Sequence, residues 1–185
     1  MIKELYQDME KKMEKTIESL GRDLATIRTG RASLAILEGI TLEYYGSQSP
    51  LNQVATLSIP ESRLIVIQPW DPTAIKEIEK ALMRSDLGLT PNNDGKVIRL
   101  PIPALTEERR VQLVKVVKKN GEEGKVAIRN IRRDAISEAK DFEKEKVLSE
   151  DELHRAQDEI QKITDRYIQR VDELIEKKEK EVLEV

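Results

Sequence analysis

The hydrophobic period of this chain changes twice. Toward both ends apolar residues recur every three or four positions, whereas between Arg31 and Pro103 they alternate in short runs broken by Gly, Pro, Asn and Ser. A period near 3.6 puts side chains on one stripe of a helix, and a period of two puts them on one face of a strand. Leu5, Met9, Met13, Ile17, Leu20, Leu24 and Ile27 make the first stripe, which Gly30 closes. Thr106 is placed as an N-cap, and Glu107 and Glu108 follow where a helix macrodipole favours acids. The seam behind them includes Val114, Val117, Ile128, Ile131, Ala135 and Phe142. Ser149 and Glu152 have the spacing of a capping box and open a third seam: Leu153, Ala156, Ile160, Ile163, Tyr167, Val171 and Leu174. The two later helices are each expected to run roughly 35 to 40 residues, on the order of 55 Å.

In the middle segment Ile40 to Tyr45, Val54 to Ile59, Leu64 to Trp70 and Lys96 to Leu100 read as short strands rich in branched residues. Asp71-Pro72 supplies a cap and first helical position for one short helix over Thr73 to Arg84, and Thr90 to Gly95 is a turn. The seams of the flanking helices have no partner inside this segment, so it is read as an insertion. The expected fold class is therefore α+β: an antiparallel three-helix bundle of residues 1–30 and 105–185, carrying a small β/α/β domain of residues 31–104.

Charged residues make up 36% of the chain and aromatics 3%, which suits long solvated helices with thin aliphatic seams. No cysteine is present, so disulfides, thiolate metal sites and thiol nucleophiles are excluded, in keeping with a reducing cytoplasm. The N-terminus Met1 to Leu5 lacks the apolar run of a signal peptide or membrane span. The single histidine, His154, stands among Glu150, Asp151, Glu152 and Arg155 in the first turn of the third helix, a setting that suits a solvated residue better than a catalytic one. Gly121-Glu122-Glu123-Gly124-Lys125 has neither the four-residue gap nor the Ser or Thr of a P-loop. Asn92 to Gly95 resembles the start of a calcium loop without its bidentate Glu. No catalytic residue, metal site or cofactor is expected.

The net charge of -3 hides an uneven distribution. Thr106 to Asp134 carries nine Lys or Arg against five acids, whereas Ala135 to Val185 carries ten against sixteen. At ~100° per residue Lys118, Lys125, Arg129 and Arg132 fall within about 60° of one another, with Lys115 and Arg133 alongside. A Lys/Arg run on a long helix is ordinarily just a solvated face. Here Arg129, Arg132 and Arg133 crowd three guanidinium groups into five residues with only Asp134 adjacent, an arrangement that repels itself unless an anion is met. Such a stripe suits successive phosphates, for which arginine adds bidentate geometry and stacking on bases. Arg28 and Arg31 extend the patch if the bundle brings them to the same side. Gly121 and Gly124 would each cost about 1 kcal/mol inside a helix and admit a break into shorter helices. One continuous helix is preferred, because both stripes stay in phase across them.

Several motifs resemble one family. Arg28-Thr29-Gly30-Arg31-Ala32-Ser33, Gln68-Pro69-Trp70-Asp71, Ser85-Asp86-Leu87-Gly88-Leu89, Asn93-Asp94-Gly95, Leu105-Thr106-Glu107-Glu108-Arg109-Arg110 and the run Lys125 to Ala135 are similar, in order and over essentially the whole chain, to the bacterial ribosome recycling factors. A departure is Leu34-Ala35-Ile36, where that family would carry a proline after the serine. The resemblance implies a three-helix bundle with a β/α/β sandwich domain, together shaped roughly like transfer RNA. It implies a factor that binds the large ribosomal subunit after termination and, with elongation factor G and GTP, splits the ribosome. It also implies that Arg129, Arg132 and Arg133 contact ribosomal RNA, helped by Arg28, Arg31, Arg110 and Lys125.

Gly30, Arg31, Pro101, Pro103, Ala104 and Leu105 are expected to form an interdomain hinge, so that the protein works as a lever and not as a catalyst. It is expected to be a cytoplasmic monomer. The main competing reading is a scaffold whose long helices assemble into an oligomeric coiled coil, which would need outward a/d heptads left over from the bundle. A metal-dependent hydrolase is the weakest alternative.

Overall fold

The computed structural model describes residues 1–184, so Val185, the last residue of the expected bundle domain, lies outside the described residues. The chain divides into two compact units, Met1–Arg28 with Glu107–Glu184, and Thr29–Thr106. The first unit holds three helices: α1 (Ile2–Ala25), α3 (Glu107–Lys144) and α4 (Glu150–Leu183). The second holds β1 (Thr41–Tyr44), β2 (Ser47–Pro50), β3 (Ala55–Glu61), β4 (Leu64–Pro69), α2 (Ile75–Arg84), β5 (Asn92–Asn93) and β6 (Ile98–Pro101).

In the helical unit each apolar stripe is consumed by the other two helices. Leu5, Met9, Met13, Ile17, Leu20 and Leu24 of α1 are buried, as are Leu113, Val117, Ile128, Ala135 and Ala139 of α3 and Ala156, Ile160, Ile163 and Val171 of α4. Each fully buried Leu, Ile or Met contributes about 1.5–3 kcal/mol. Pairing of Glu14 with Arg170 and Glu10 with Arg166 sets α1 parallel to α4, while Lys125 opposite Asp172 and Arg132 opposite Gln161 set α3 antiparallel to α4.

α1 ends at Ala25 and does not continue to Gly30, because the Thr26 hydroxyl donates to the Asp23 carbonyl at 2.6 Å and caps the last turn. α3 runs unbroken through both internal glycines. At Gly121 a Cβ would lie 2.7 Å from Ile175 Cγ1, and at Gly124 one would lie 3.4 Å from Leu20 Cδ2. The glycines let α4 and α1 approach α3 closely, so the propensity cost is offset by packing.

α3 turns into α4 through a Schellman arrangement, with Val147 N–H on the Phe142 carbonyl at 2.8 Å and Lys146 N–H on Glu143 at 3.0 Å. Lys146 takes the left-handed position (φ 61°) usually given to glycine. The capping box is present: Ser149 Oγ accepts from Glu152 N–H at 3.1 Å, and Glu152 Oε1 accepts from Ser149 N–H at 3.3 Å.

In the second unit β1 and β2 form an antiparallel hairpin, and an antiparallel sheet has the order β3-β4-β6-β5. The expected strand over Ile40 to Tyr45 is thus half of a hairpin that turns at Tyr45 (φ 50°) and Gly46 (φ 79°), both in the positive-φ conformation such tight turns require. Its partner, Ser47-Gln48-Ser49-Pro50, has no branched residue to announce it. The final strand begins at Ile98 and not Lys96, because Asp94 accepts from the backbone N–H of Lys96 and Val97 at 2.9 and 2.8 Å and holds them in the turn. Asp94 also takes Arg99 at 2.6 Å, so the look of a calcium loop belongs to a closed turn. The short helix starts with a 3-10 turn over Pro72–Ala74, capped by Asp71 Oδ1 on Thr73 N–H at 3.0 Å, before α2 proper. Ile65 and Ile67 of the central strand β4, Ile98 and Leu100 of β6, and Ile75, Ile78 and Leu82 of α2 share one core. Pro60 stands on the edge strand β3 where its register shifts, a place that needs no N–H donor.

Candidate nucleic-acid interface

The surface of α3 is split by charge around its axis. Toward α1 it presents Asp134 and Glu138, which line a small recess with Leu5, Asp8, Met9 and Lys12. The Lys12 amine is pushed up by its hydrogen bond to Asp8, with smaller contributions from Glu138 and Asp134. Toward α4 it presents cations. Lys125 reaches Asp172 at 2.5 Å, Arg132 reaches Gln161, and Arg129 and Arg132 line one open groove of about 290 Å³ with Gln161, Thr164, Asp165 and Ile168. The seam fixes this arrangement, because burying Val117, Gly121, Gly124 and Ile128 leaves these cations on the α4-facing flank.

The cations differ in what holds them. Lys125 is half-buried and neutralised by Asp172, with Glu122 a further 3.9 Å contact. Arg132 is half-buried, and its Nη1 donates to the neutral Gln161 Oε1 at 2.9 Å. Gln161 in turn donates from Nε2 to Asp165 Oδ1 at 2.8 Å. Arg129 and Arg133 are exposed and have no ion pair or hydrogen-bonded partner among the described residues. Val126, one turn before Arg129 and 51% exposed, gives the same outer surface an apolar spot. A row of guanidinium groups on a stiff helix, partly unneutralised and beside an apolar side chain, has the chemistry to grip phosphates and touch sugar or base edges.

The other candidate residues are placed differently. Arg110 is three residues before Leu113 and seven before Val117, on the seam face of α3, and its Nε is buried without a hydrogen-bond partner. It stands about 28 Å along the helix from Arg129 at 1.5 Å per residue. Arg28 is exposed at the close of the helical unit's first segment, whereas Arg31 belongs to the second unit. Gly30, Pro101, Pro103, Ala104 and Leu105 also belong to that unit, and the two chain crossings fall at Arg28–Thr29 and Thr106–Glu107. Gly30 has φ 77°, and a Cβ there would lie 3.2 Å from Leu105 Cγ. Sequence reasoning missed Gln161, Asp165 and Asp172; their signal is an i, i+4 Gln/Asp pair and an acid on the flank of α4 that faces the stripe. His154 is exposed, and no group of residues able to hold a metal occurs among the described residues.

Comparison with known proteins bears directly on this surface. A family model described as Ribosome recycling factor matches residues 20–183. The chain is 58% identical over 178 residues to the ribosome-recycling factor of Natranaerobius thermophilus, covering 96% of this chain and 97% of that protein. It is 57% identical over 185 residues to that of Carboxydothermus hydrogenoformans, with both chains covered in full. Among solved structures it matches a solution structure of the ribosome recycling factor with TM-score 0.73 and 44% identity, over 100% of this chain and 98% of that one. It also matches the Thermus thermophilus factor in models of that factor and the E. coli elongation factor G bound to the E. coli post-termination complex, with TM-score 0.64 and 52% identity over the whole of both chains. By sequence along its full length, and by fold, this chain belongs to the ribosome recycling factor family.

Proposed function

We propose that this chain binds the large subunit of the post-termination ribosome and, with elongation factor G and GTP, promotes splitting of the ribosome into subunits. The observation that carries this reading is the α4-facing and outer side of α3, where Arg129 and Arg133 stand unneutralised and Arg132 is held by a neutral amide. Its relatives bear the name of ribosome-recycling factors and of no enzyme. Arg129, Arg132 and Arg133 meet ribosomal RNA phosphates, with Lys125, Arg110, Arg28 and Arg31 as auxiliary cations. Arg110 is the weakest of these on geometry, because it faces the seam.

In this reading the bundle is the anchor. Closely packed helices, with α3 spanning about 57 Å at 1.5 Å per residue, resist bending and can carry force from one end to the other. Only two backbone connections join the units, so the inserted unit moves about Gly30, Arg31 and the segment Pro101 to Leu105 when a motor factor engages it. The factor acts as a monomer in the cytoplasm. The exposed Val111, Val116 and Val126 of α3 do not follow the a/d spacing that a coiled-coil assembly would need, because the bundle has already consumed the seams. No helix among the described residues is long and apolar enough to cross a membrane.

The test is a subunit-splitting assay with elongation factor G and GTP, paired with a salt titration of binding to purified large subunits. Splitting should depend on the protein. Affinity should fall with a log-log slope of about -0.7 to -0.9 per phosphate neutralised. A flat salt response would show that phosphate contacts do not drive binding.

A further inference from the structure

Arg132 differs from its neighbours in being held by a neutral amide and not by a carboxylate. Its Nη1 rests on the Gln161 side-chain oxygen at 2.9 Å, and the same amide gives its N–H to Asp165 at 2.8 Å. A carboxylate accepts and does not donate, so Asp165 takes the amide nitrogen and turns the oxygen of Gln161 toward the guanidinium. The nearest carboxylate along this path is therefore one amide away from Arg132. Lys125, two turns earlier on the same flank, forms a direct ion pair with Asp172.

We infer that Gln161 and Asp165 form a relay, with a neutral amide and not a carboxylate against the guanidinium, that fixes Arg132 in position while leaving its remaining N–H donors for a ribosomal RNA phosphate, and that Gln161 is thus a positioning residue of the RNA contact. The inference rests on the reading that Arg132 meets ribosomal RNA. A guanidinium has five N–H donors in a planar fork, and a single bond through Nη1 leaves the others for an anion. A long arginine side chain loses rotamer freedom when it binds, and a side chain already held in place loses less. Had position 161 been a carboxylate, the guanidinium would be equally well held but electrostatically cancelled. Glutamine provides the hold alone.

That contrast defines the experiment. Binding of the full chain to purified large ribosomal subunits is titrated across salt concentration for the wild type, R132A, Q161A, Q161E and the double variant R132A/Q161E, with helicity and melting checked for each. All of these side chains lie on the bundle surface, and the fold should persist. R132A should weaken binding roughly 5- to 150-fold. Q161E, nearly isosteric, should weaken it roughly tenfold and flatten the log-log salt slope by about 0.7–0.9, as expected when one phosphate fewer is neutralised. Q161A should weaken it only about threefold, with the slope kept, because the charge survives and only the hold is removed. The double variant should bind no worse than R132A. If R132A weakens binding but Q161E does not, or if the two effects add, the relay is overturned while the RNA reading stands. If R132A binds like the wild type, the RNA role of Arg132 falls, and the relay falls with it.

Discussion

Arg166 and Arg170 on α4 and Arg129 and Arg133 on α3 are two pairs with the same residues at the same i, i+4 spacing, yet they do different things. Facing the α4 pair, α1 presents Glu10 and Glu14, also four apart, and both bridges close, at 2.9 Å for Arg166 and in a bidentate pair for Arg170. Arg170 also lies 5.2 Å from the centre of the Tyr167 ring. Neither arginine of the α3 pair forms an ion pair with an acid among the described residues, although Asp165 lines the same groove as Arg129. The lesson is that arginine spacing alone does not reveal function. What the neighbouring helix offers decides whether a cation stitches the bundle together or remains for a partner.

The comparison breaks most visibly if the two pairs are removed in turn. R129A/R133A should weaken large-subunit binding by about 2–5 kcal/mol and leave the melting curve nearly unchanged. R166A/R170A should do the opposite, costing about 0.5–2 kcal/mol of stability with little effect on affinity. Binding titrations and thermal melts on both variants check this, and an exchange of the two outcomes would reverse the assignment of the pairs.

A smaller effect sharpens the account of the bundle that carries both pairs. G121A should lower stability by about 1–2 kcal/mol, because the new Cβ meets Ile175 Cγ1 at 2.7 Å and the strain exceeds the gain in helix propensity. G21A, in α1, where a Cβ would meet nothing within 4 Å beyond its chain neighbours and its own helix backbone, should raise it by about 0.5–1 kcal/mol. Denaturant unfolding of the two variants, run side by side, tests whether close approach and not glycine content is what matters.

The smallest effect concerns the Glu14–Arg170 bridge. The hydrogen bond from Arg170 holds the Glu14 carboxyl below its ordinary range, so the bridge stabilises the fold above the usual carboxylate pKa and is lost as pH falls through the depressed value. This bridge is largely exposed, and its worth is about 0.2–1 kcal/mol. Melts of the wild type and E14Q should therefore differ slightly at neutral pH and converge in acid. A gap that persists at low pH would mean that Glu14 contributes by packing instead of by charge.

Much of this was legible in the residues, and the exceptions have physical causes. The three helical seams, the Ser149 capping box and the central strands follow from local spacing, which a sequence displays directly. The hairpin partner Ser47 to Pro50 was not legible, because it is selected by the Tyr45-Gly46 turn and not by any strand preference of its own. Lys125, Arg129, Arg132 and Arg133 could be grouped from their angles on one helix. That Lys125 is neutralised and Arg129 is not depends on the register of α3 against α4, which local patterns do not contain. The same holds for Gly121 and Gly124, whose purpose appears only when Ile175 and Leu20 are brought beside them.

The helical unit is discontinuous in the chain, and this has a consequence for how the protein is made. The buried side chains of α1 are covered by helices that begin only at Glu107, after an intervening stretch of about 80 residues, which takes roughly 4–16 s to translate at ~5–20 residues per second. Throughout that interval the nascent α1 is an orphan amphipathic segment with its greasy side uncovered. The inserted unit has its own core and can fold while α1 waits. A newborn chain of this design is thus most exposed to aggregation and to chaperones midway through its own synthesis.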